Sequence, residues 1–424
     1  MNSAKSKLIK DLWKRAEDAI YVLYGDMPDL RILGRFYNEK MAFSNSDAII
    51  LWDLVASLGC EALYLDYMAR PTGTVGASFT SYLLGACVEN PLPLHYNCPT
   101  CRSTEFVKTH DALPFDMPTK VCTCGAVMHP DGFDIPYEMG LSTSHTPHVS
   151  ISTSSGFVSE AKRMIYERMC GYYRIGELKT ERGYTKFVFL PIDSGEEFEE
   201  NIDHSNDKYS AFPSITLMPH TAFDKGEMLS EKTGVDFYEI HASIGKDRLF
   251  EAKIIEELKE GNIDGIASFG LQKSGFASMK DALKLAAPKN SFELLKVLSA
   301  LHGTRTWTGN AECILESGVK ISDVPTSRDD VFSLLKDKLS EAGYCYTGIA
   351  YELTERIRRG ALDASARLIL SSLDLPDWFE SYAERIKYML PKSHAASILR
   401  EALTFTWFKI HYPKEFEKIC VGDV

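Results

Sequence analysis

Apolar residues recur at helical spacing from the first turns of the chain. Leu8, Ile9, Leu12, Trp13, Ala16, Ala19 and Ile20 fall on one face of residues 5–23 and predict an amphipathic helix. Residues 48–59 (AIILWDLVASLG) predict a second, more deeply buried helix. The run ALYLDYMARPTGTVGASF reads as a strand entering a glycine-rich turn, followed by a helix from Ser78 to about Cys87. PLPLHY ends that helix, because proline lacks an N–H and restricts the residue before it. Residues 95–136 carry Pro, Gly and clustered Cys with little period, and predict a small inserted lobe. Beyond residue 145, HVSISTS, TKFVFLPI and SITLMPH predict strands, and the acidic run EEFEENIDHSND predicts a solvated loop. From about residue 261 the helical period returns in SMKDALKLAA, SFELLKVLSALHG, RDDVFSLLKDKLSEAG, IAYELTERIRRG and AASILREALTFTWFKIHY. The chain divides into a mixed α/β part and a helical part, with the break near 255–265.

Composition narrows the class. The chain has 424 residues, 45% hydrophobic and 25% charged, which excludes disordered, collagenous and coiled-coil proteins. A net charge of −12 argues against coating nucleic acid or membrane by bulk charge, though a local basic groove remains open. Ten Cys are too sparse for a disulfide scaffold. No apolar run is long enough for a membrane span, and the charged, helical N-terminal stretch is unlike a signal peptide. These features predict a cytoplasmic protein in a reducing compartment, with no membrane partner.

Three motifs carry candidate chemistry. Cys98-Pro-Thr-Cys101 and Cys122-Thr-Cys124 form two close pairs, the layout of a four-thiolate zinc knuckle that staples a lobe too small for its own core. One residue between Cys122 and Cys124 is shorter than usual, so four free thiols remain the alternative, with His95, His110 and His129 nearby as substitute ligands. Gly73-Thr74-Val-Gly76-Ala-Ser78 lies at a strand-to-helix turn, where backbone N–H groups can face an oxyanion; a tight turn with an N-cap explains it equally well. Arg305, Arg328, Arg356, Arg358, Arg359, Arg385, Lys387, Lys392 and Lys409, interleaved with Trp307, Tyr388, Trp407 and Tyr412, suit phosphate contact and base stacking, or are ordinary solvated helix faces. The carboxylate spacing of a two-metal site, Asp-x-Asp on a strand, is missing from the sequence, and no nucleophile–His–acid order is persuasive.

Longer segments carry a resemblance. TGTVGASFTSYLLGACVENPLPLHYNCPTC, HPDGFDIPYE, LLKVLSALHGTRTWTGNAECILESG, SRDDVFSLL and RIKYMLPKSHAASILREALTFTWFKIHYP resemble, in order, segments of the PolC-type alpha subunit of bacterial DNA polymerase III, a family C polymerase. The resemblance spans roughly residues 20–415. It implies an α+β fold: a polymerase-β-like nucleotidyltransferase palm (1–94 and 137–260), a zinc-knuckle-like lobe (95–136) and α-helical fingers (261–424). It implies phosphate or nucleotide contacts at Gly73, Thr74, Gly76, Ser78, His302, Arg328, Arg358, Lys392 and His394, and structural zinc on Cys98, Cys101, Cys122 and Cys124. The family's Pro-Asp-Ile-Asp strand is matched here by Pro147-His148-Val149-Ser150, which replaces both metal-binding aspartates by His148 and Ser150. The family's third aspartate lies on a strand whose best match, Leu249–Ile255, puts Lys253 in its place; a register slip of two would bring Glu251 to the same face. Three acids becoming one lysine is a swing of four charges, and a site of that kind does not hold magnesium unaided.

Three functions compete on this reading. The first is a catalytically inactive polymerase homologue that binds DNA, a nucleotide or a replisome protein as an accessory or regulatory factor. The second is a minimal DNA polymerase with relocated ligands such as Asp134, Asp236 or Glu251. The third is an interaction protein that touches no nucleic acid.

Overall fold

The computed structural model describes residues 3–43, 46–109, 111–139, 147–180, 182–193, 209–244, 248–260, 279–344 and 347–421. The first predicted helix forms as α1 (Ser3–Tyr24) and the apolar run as α3 (Ala48–Tyr64); α2 (Leu30–Phe43) lies between them, where no element was predicted. Strand β1 (Ala69–Thr72) enters the glycine-rich turn, a 3₁₀ turn over Gly73–Ala77, and α4 is only Phe79–Leu83. Gly85 at φ +83° turns the chain before the predicted end at Cys87.

The cysteine-bearing segment folds as a four-stranded antiparallel sheet in the order β3-β2-β5-β4, from β2 (His95–Asn97), β3 (Thr104–Phe106), β4 (Lys120–Val121) and β5 (Val127–Asp131). Its own core is four buried residues, Tyr96, Cys98, Cys122 and Met128. The three predicted strands appear as β6 (His148–Thr153), β8 (Thr185–Pro191) and β9 (Ser214–Pro219), joined by β7 (Tyr173–Lys179). They form a second sheet in the order β1-β6-β9-β8-β7, in which β6 and β9 run parallel and every other pair is antiparallel. Helix α5 (Val158–Met169) joins α1 and α3 over one face of this sheet, where Trp13, Trp52 and Ile165 pack against Val149, Ile151, Ile215 and Leu217. The acidic run 196–207 lies outside the described residues.

Helices α6 (Thr221–Thr233), α7 (Phe237–Ser243) and α8 (Arg248–Lys259) follow. Here the structure corrects the strand expected over Leu249–Ile255. Ile254, Ile255 and Leu258 are buried while Lys253 and Glu256 are exposed, a helical and not an alternating pattern. Lys253 therefore sits on a helix packed beside α16 (Lys392–His411) and is no part of the five-stranded sheet. The predicted break abuts residues 261–278, outside the described set. Beyond it come α9 (Met279–Ala286), α10 (Ser291–His302), α11 (Glu312–Glu316), α12 (Arg328–Glu341), α13 (Thr347–Arg358), α14 (Ala364–Ser371), α15 (Phe379–Arg385), α16 and α17 (Pro413–Phe416). Helix α16 is buried on most sides, through Ala395, Leu399, Leu403 and Phe405, and reaches both the helical core and the glycine-rich turn. Among the described residues no helix is long and apolar enough to cross a membrane.

Candidate functional site

Alternation along β6 sends Val149 and Ile151 into the core and leaves His148, Ser150 and Ser152 on the other face. Parallel pairing sets Ser214 beside His148 and Thr216 beside Ser150; Thr72 of β1 and Lys186 of β8 continue the second row. Among the described residues of β1, β6, β8 and β9 there is no Asp or Glu. His148 is anchored at both ring nitrogens, Nδ1 at 2.7 Å from Ser214 Oγ and Nε2 at 3.0 Å from the Ser210 carbonyl. A carbonyl only accepts, so Nε2 carries a proton and donates it to Ser210 O. His148, held at both ring nitrogens, and Ser150 thus share this face with Thr216, and Lys253 on α8 is no part of it. SITLMPH was legible as a strand; its pairing with β6 was not.

The glycine-rich turn is drawn against the start of α16. A Cβ on Gly76 would lie 2.8 Å from Ser393 Cβ, so only glycine fits that approach, and Gly73 adopts φ +82°. Gly73 N donates to His394 Nδ1 at 3.2 Å, and Ser393 Oγ donates to Gly73 O at 2.6 Å. The α4 N-terminus, expected to await an oxyanion, already holds one. Buried Glu39 accepts from Ser78 Oγ (2.9 Å), Phe79 N (2.8 Å), Thr80 N (3.0 Å) and Arg35 Nε (2.6 Å). Ser78 also caps α4 by accepting from Ser81 N. Gly73, Gly76 and His394 are therefore brought together, Thr74 lies in the same turn, and Ser78 turns to an internal carboxylate.

His302 ends α10, with Nδ1 2.9 Å from Leu298 O. Burial, then Arg70, His302 and His220, push His394 down to about 3, so it is neutral with its proton on Nε2. Arg328 is 4% exposed, and its Nε and Nη2 have no hydrogen-bond partner among the described residues; the nearest carboxylate contact is Asp329 Oδ2 at 3.7 Å. Arg358 shares its neighbourhood but is held by Glu355. Lys392 donates from Nζ to Asp134 O at 3.1 Å and from its backbone N to Asp329 Oδ2 at 2.7 Å.

The wider basic and aromatic set is not a free stripe. Arg356 pairs with Asp363 at 2.7 Å, Arg359 with Glu355 at 2.9 Å, and Arg385 donates to Gly309 O. Trp307 is buried, and Trp407 stacks on His411 at 4.5 Å. Arg359 and Trp407 meet partners four residues away and Arg356 one seven residues away, whereas Arg385 reaches across 76 residues to Gly309.

The four Cys Sγ atoms of Cys98, Cys101, Cys122 and Cys124 lie within 4.8 Å of one another, with Cys98–Cys124 at 3.4 Å and Cys101–Cys122 at 3.5 Å. Tetrahedral zinc with Zn–S near 2.3 Å needs sulfurs about 3.8 Å apart, so the donor set fits a metal ion. The short spacing is accommodated by Gly125 at φ +89°, whose N–H closes on Cys122 O at 2.8 Å. A hydrogen bond with Ser103 leads the effects that draw Cys122 down to about 5, while Cys124 is pushed up to about 11, so without a metal the four sulfurs share their protons unequally.

A mixed α+β scaffold with two sheets and a helical half is compatible with a polymerase-like fold. No family model matches the chain. The chain is PolC-like: it is 26% identical over 471 residues to the DNA polymerase III PolC-type of Thermotoga petrophila and equally to that of Thermotoga maritima, covering 93% of this chain and 33% of each relative. The corresponding protein of Lacticaseibacillus paracasei is 25% identical over 462 residues, 92% of this chain and 31% of its own. The chain spans about a third of the length of these relatives.

Proposed function

We propose that this PolC-like chain binds a nucleotide or DNA without transferring a nucleotidyl group, and acts in the cytoplasm as an accessory or regulatory factor of DNA replication, alone or with a replisome protein. The observation that carries the reading is the acid-free face of the five-stranded sheet, taken as the palm. The three metal-binding places are assigned to His148, Ser150 and Thr216, a neutral set, so the swing against three carboxylates is three charges, one fewer than with Lys253. Hard divalent cations need anionic oxygen ligands. Without them, attacking and leaving oxygens lose a clamp worth several kcal/mol, or about 10²-fold and more in rate. Binding is supported by Arg328: a buried guanidinium with open donors is unfavourable until an anion meets it. The glycine-rich turn meets His394 at the start of α16, whose Lys392 bonds Asp329 next to Arg328. Zinc on the four thiolates serves the lobe structurally, and magnesium plays no part.

The test is equilibrium binding of a deoxynucleoside triphosphate and a primer-template, with and without Mg²⁺, alongside primer extension. Expected are metal-independent binding, weakened about tenfold or more by Arg328→Ala, and no extension. Extension with Mg²⁺ or Mn²⁺ that disappears in His148→Ala would sink the proposal. A second reading, an interaction protein without nucleic-acid contact, is favoured by the internal pairing of Arg356, Arg358 and Arg359. Absence of any salt-dependent DNA binding, together with no nucleotide binding, selects it.

A further inference from the structure

Beside the glycine-rich turn lies a cavity of about 100 Å³ lined by the end of α3, β1, residues 85–89, α7 and α16. Its exposed lining residues Cys60, Leu63 and Val88 mark the mouth. Inside, the walls are chiefly apolar, from Val55, Met68 and Ala86.

Arg70, Ser393 and Ser397 interrupt that apolar wall, and so do two groups more than nine-tenths buried that carry an open acceptor, His241 at 3% exposed and Glu89 at 5%. Thr404 Oγ1 spends its single proton on Arg400 O at 2.8 Å. The 3.2 Å contact between His241 Nδ1 and Thr404 Oγ1 must therefore take its hydrogen from the histidine. Burial, then Arg400 and Arg70, keep His241 neutral, so Nε2 is a bare lone pair. It has no hydrogen-bond partner among the described residues, and the ring lines the cavity. Glu89 gives Oε1 to Arg400 Nε at 3.1 Å and leaves Oε2 without a partner among the described residues. The charges nearby cancel: Glu89 with Arg400, and Arg70 with Glu401. The chamber thus presents acceptors that ask for a donor, in a setting that favours no net charge.

We infer that this cavity binds a small uncharged molecule with an apolar body and a hydroxyl or N–H group, which donates to His241 Nε2 or to Glu89 Oε2. The volume is roughly two-thirds of one that takes a benzene ring, so the occupant extends into the mouth beside Cys60. Because Gly73, Gly76 and Ser393 also line the cavity, occupancy stiffens the turn. The inference stands whether or not the chain binds nucleotide.

The probe is phenol, with anisole as the same ring lacking a donor. Alkylation of Cys60 by iodoacetamide, followed by peptide mapping, reports occupancy; exposed Cys170, remote from the cavity lining, is the internal control. Millimolar phenol is expected to slow Cys60 at least fivefold and anisole less than twofold, with Cys170 unchanged. His241→Phe should raise the half-protecting phenol concentration at least tenfold. Gly59→Leu should abolish protection by filling the chamber; a Cβ there meets only Ala69 O, at 3.6 Å, an ordinary contact, and circular dichroism checks that both variants are folded. Equal protection by both probes, no protection by phenol, or full phenol protection in the Gly59→Leu variant would each overturn the inference.

Discussion

Replacing Glu39 by glutamine is the sharpest test of how the turn region is held. The carboxylate is fully buried and accepts four hydrogen bonds, two at each oxygen: Arg35 Nε and Phe79 N on Oε1, Ser78 Oγ and Thr80 N on Oε2. Glutamine keeps one acceptor oxygen and turns an NH₂ toward the donors that faced the other. Two of the four bonds are lost outright, and the remaining two fall from charge-assisted, at about 1.5–3 kcal/mol each, to neutral, at about 0.5–1.5. Arg35 keeps the Ala77 and Ile135 carbonyls but loses its counter-ion. Breaking one side of a buried ion pair typically destabilises by about 3–5 kcal/mol, and we expect Glu39→Gln in that range. Ser78→Ala, which removes one of the bonds and the α4 cap, should lose about 1–2 kcal/mol. Urea unfolding followed by tryptophan fluorescence reads both, since Trp13 packs on Phe36 of α2 at 5.9 Å. A loss below about 1 kcal/mol for Glu39→Gln would refute the view that an internal carboxylate, and not a ligand phosphate, completes this helix end.

Other consequences are as specific. Metal analysis should find about one zinc per chain, and chelation or Cys98→Ser should release it and lower the unfolding temperature; a zinc-free protein with unchanged stability on chelation contradicts the thiolate site. His394 is held near 3 when folded against about 6.5 unfolded, so between those values the unfolded chain binds more protons and stability falls as pH falls. From pH 6.5 to 5 this amounts to about 2 kcal/mol, which His394→Gln should remove, and a variant with the wild-type acid slope contradicts it. Gly76→Ala should destabilise by about 1–3 kcal/mol through the Ser393 contact, and Ser393→Gly in the same chain should recover part of the loss; an unchanged double variant places the strain elsewhere.

His148 spans from β6 to Ser214 on β9 and to the Ser210 carbonyl, so a hydrogen-bonded imidazole ties the two strands together with the protein's own groups. The same economy recurs at α4, where the protein fills an anion-receptive helix end with its own side chain.

Much of this was written in local patterns. Periodic apolar positions announced α1, α3, α10, α12 and α16, because a helix shows its buried face every third or fourth residue; Cys pairs announced a thiolate cluster, because the spacing puts sulfurs within reach of one point. Long motif matches carried the PolC likeness without any coordinates. What remained hidden depended on partners far along the chain. That Thr216 stands beside Ser150, that Glu39 reaches the start of α4, and that Arg400 meets Glu89 follow from packing and pairing. Lys253 shows the difference most plainly. A match of letters assigned it to a strand, while burial of Ile254, Ile255 and Leu258 on one side coiled the segment into a helix and carried its charge away from the sheet.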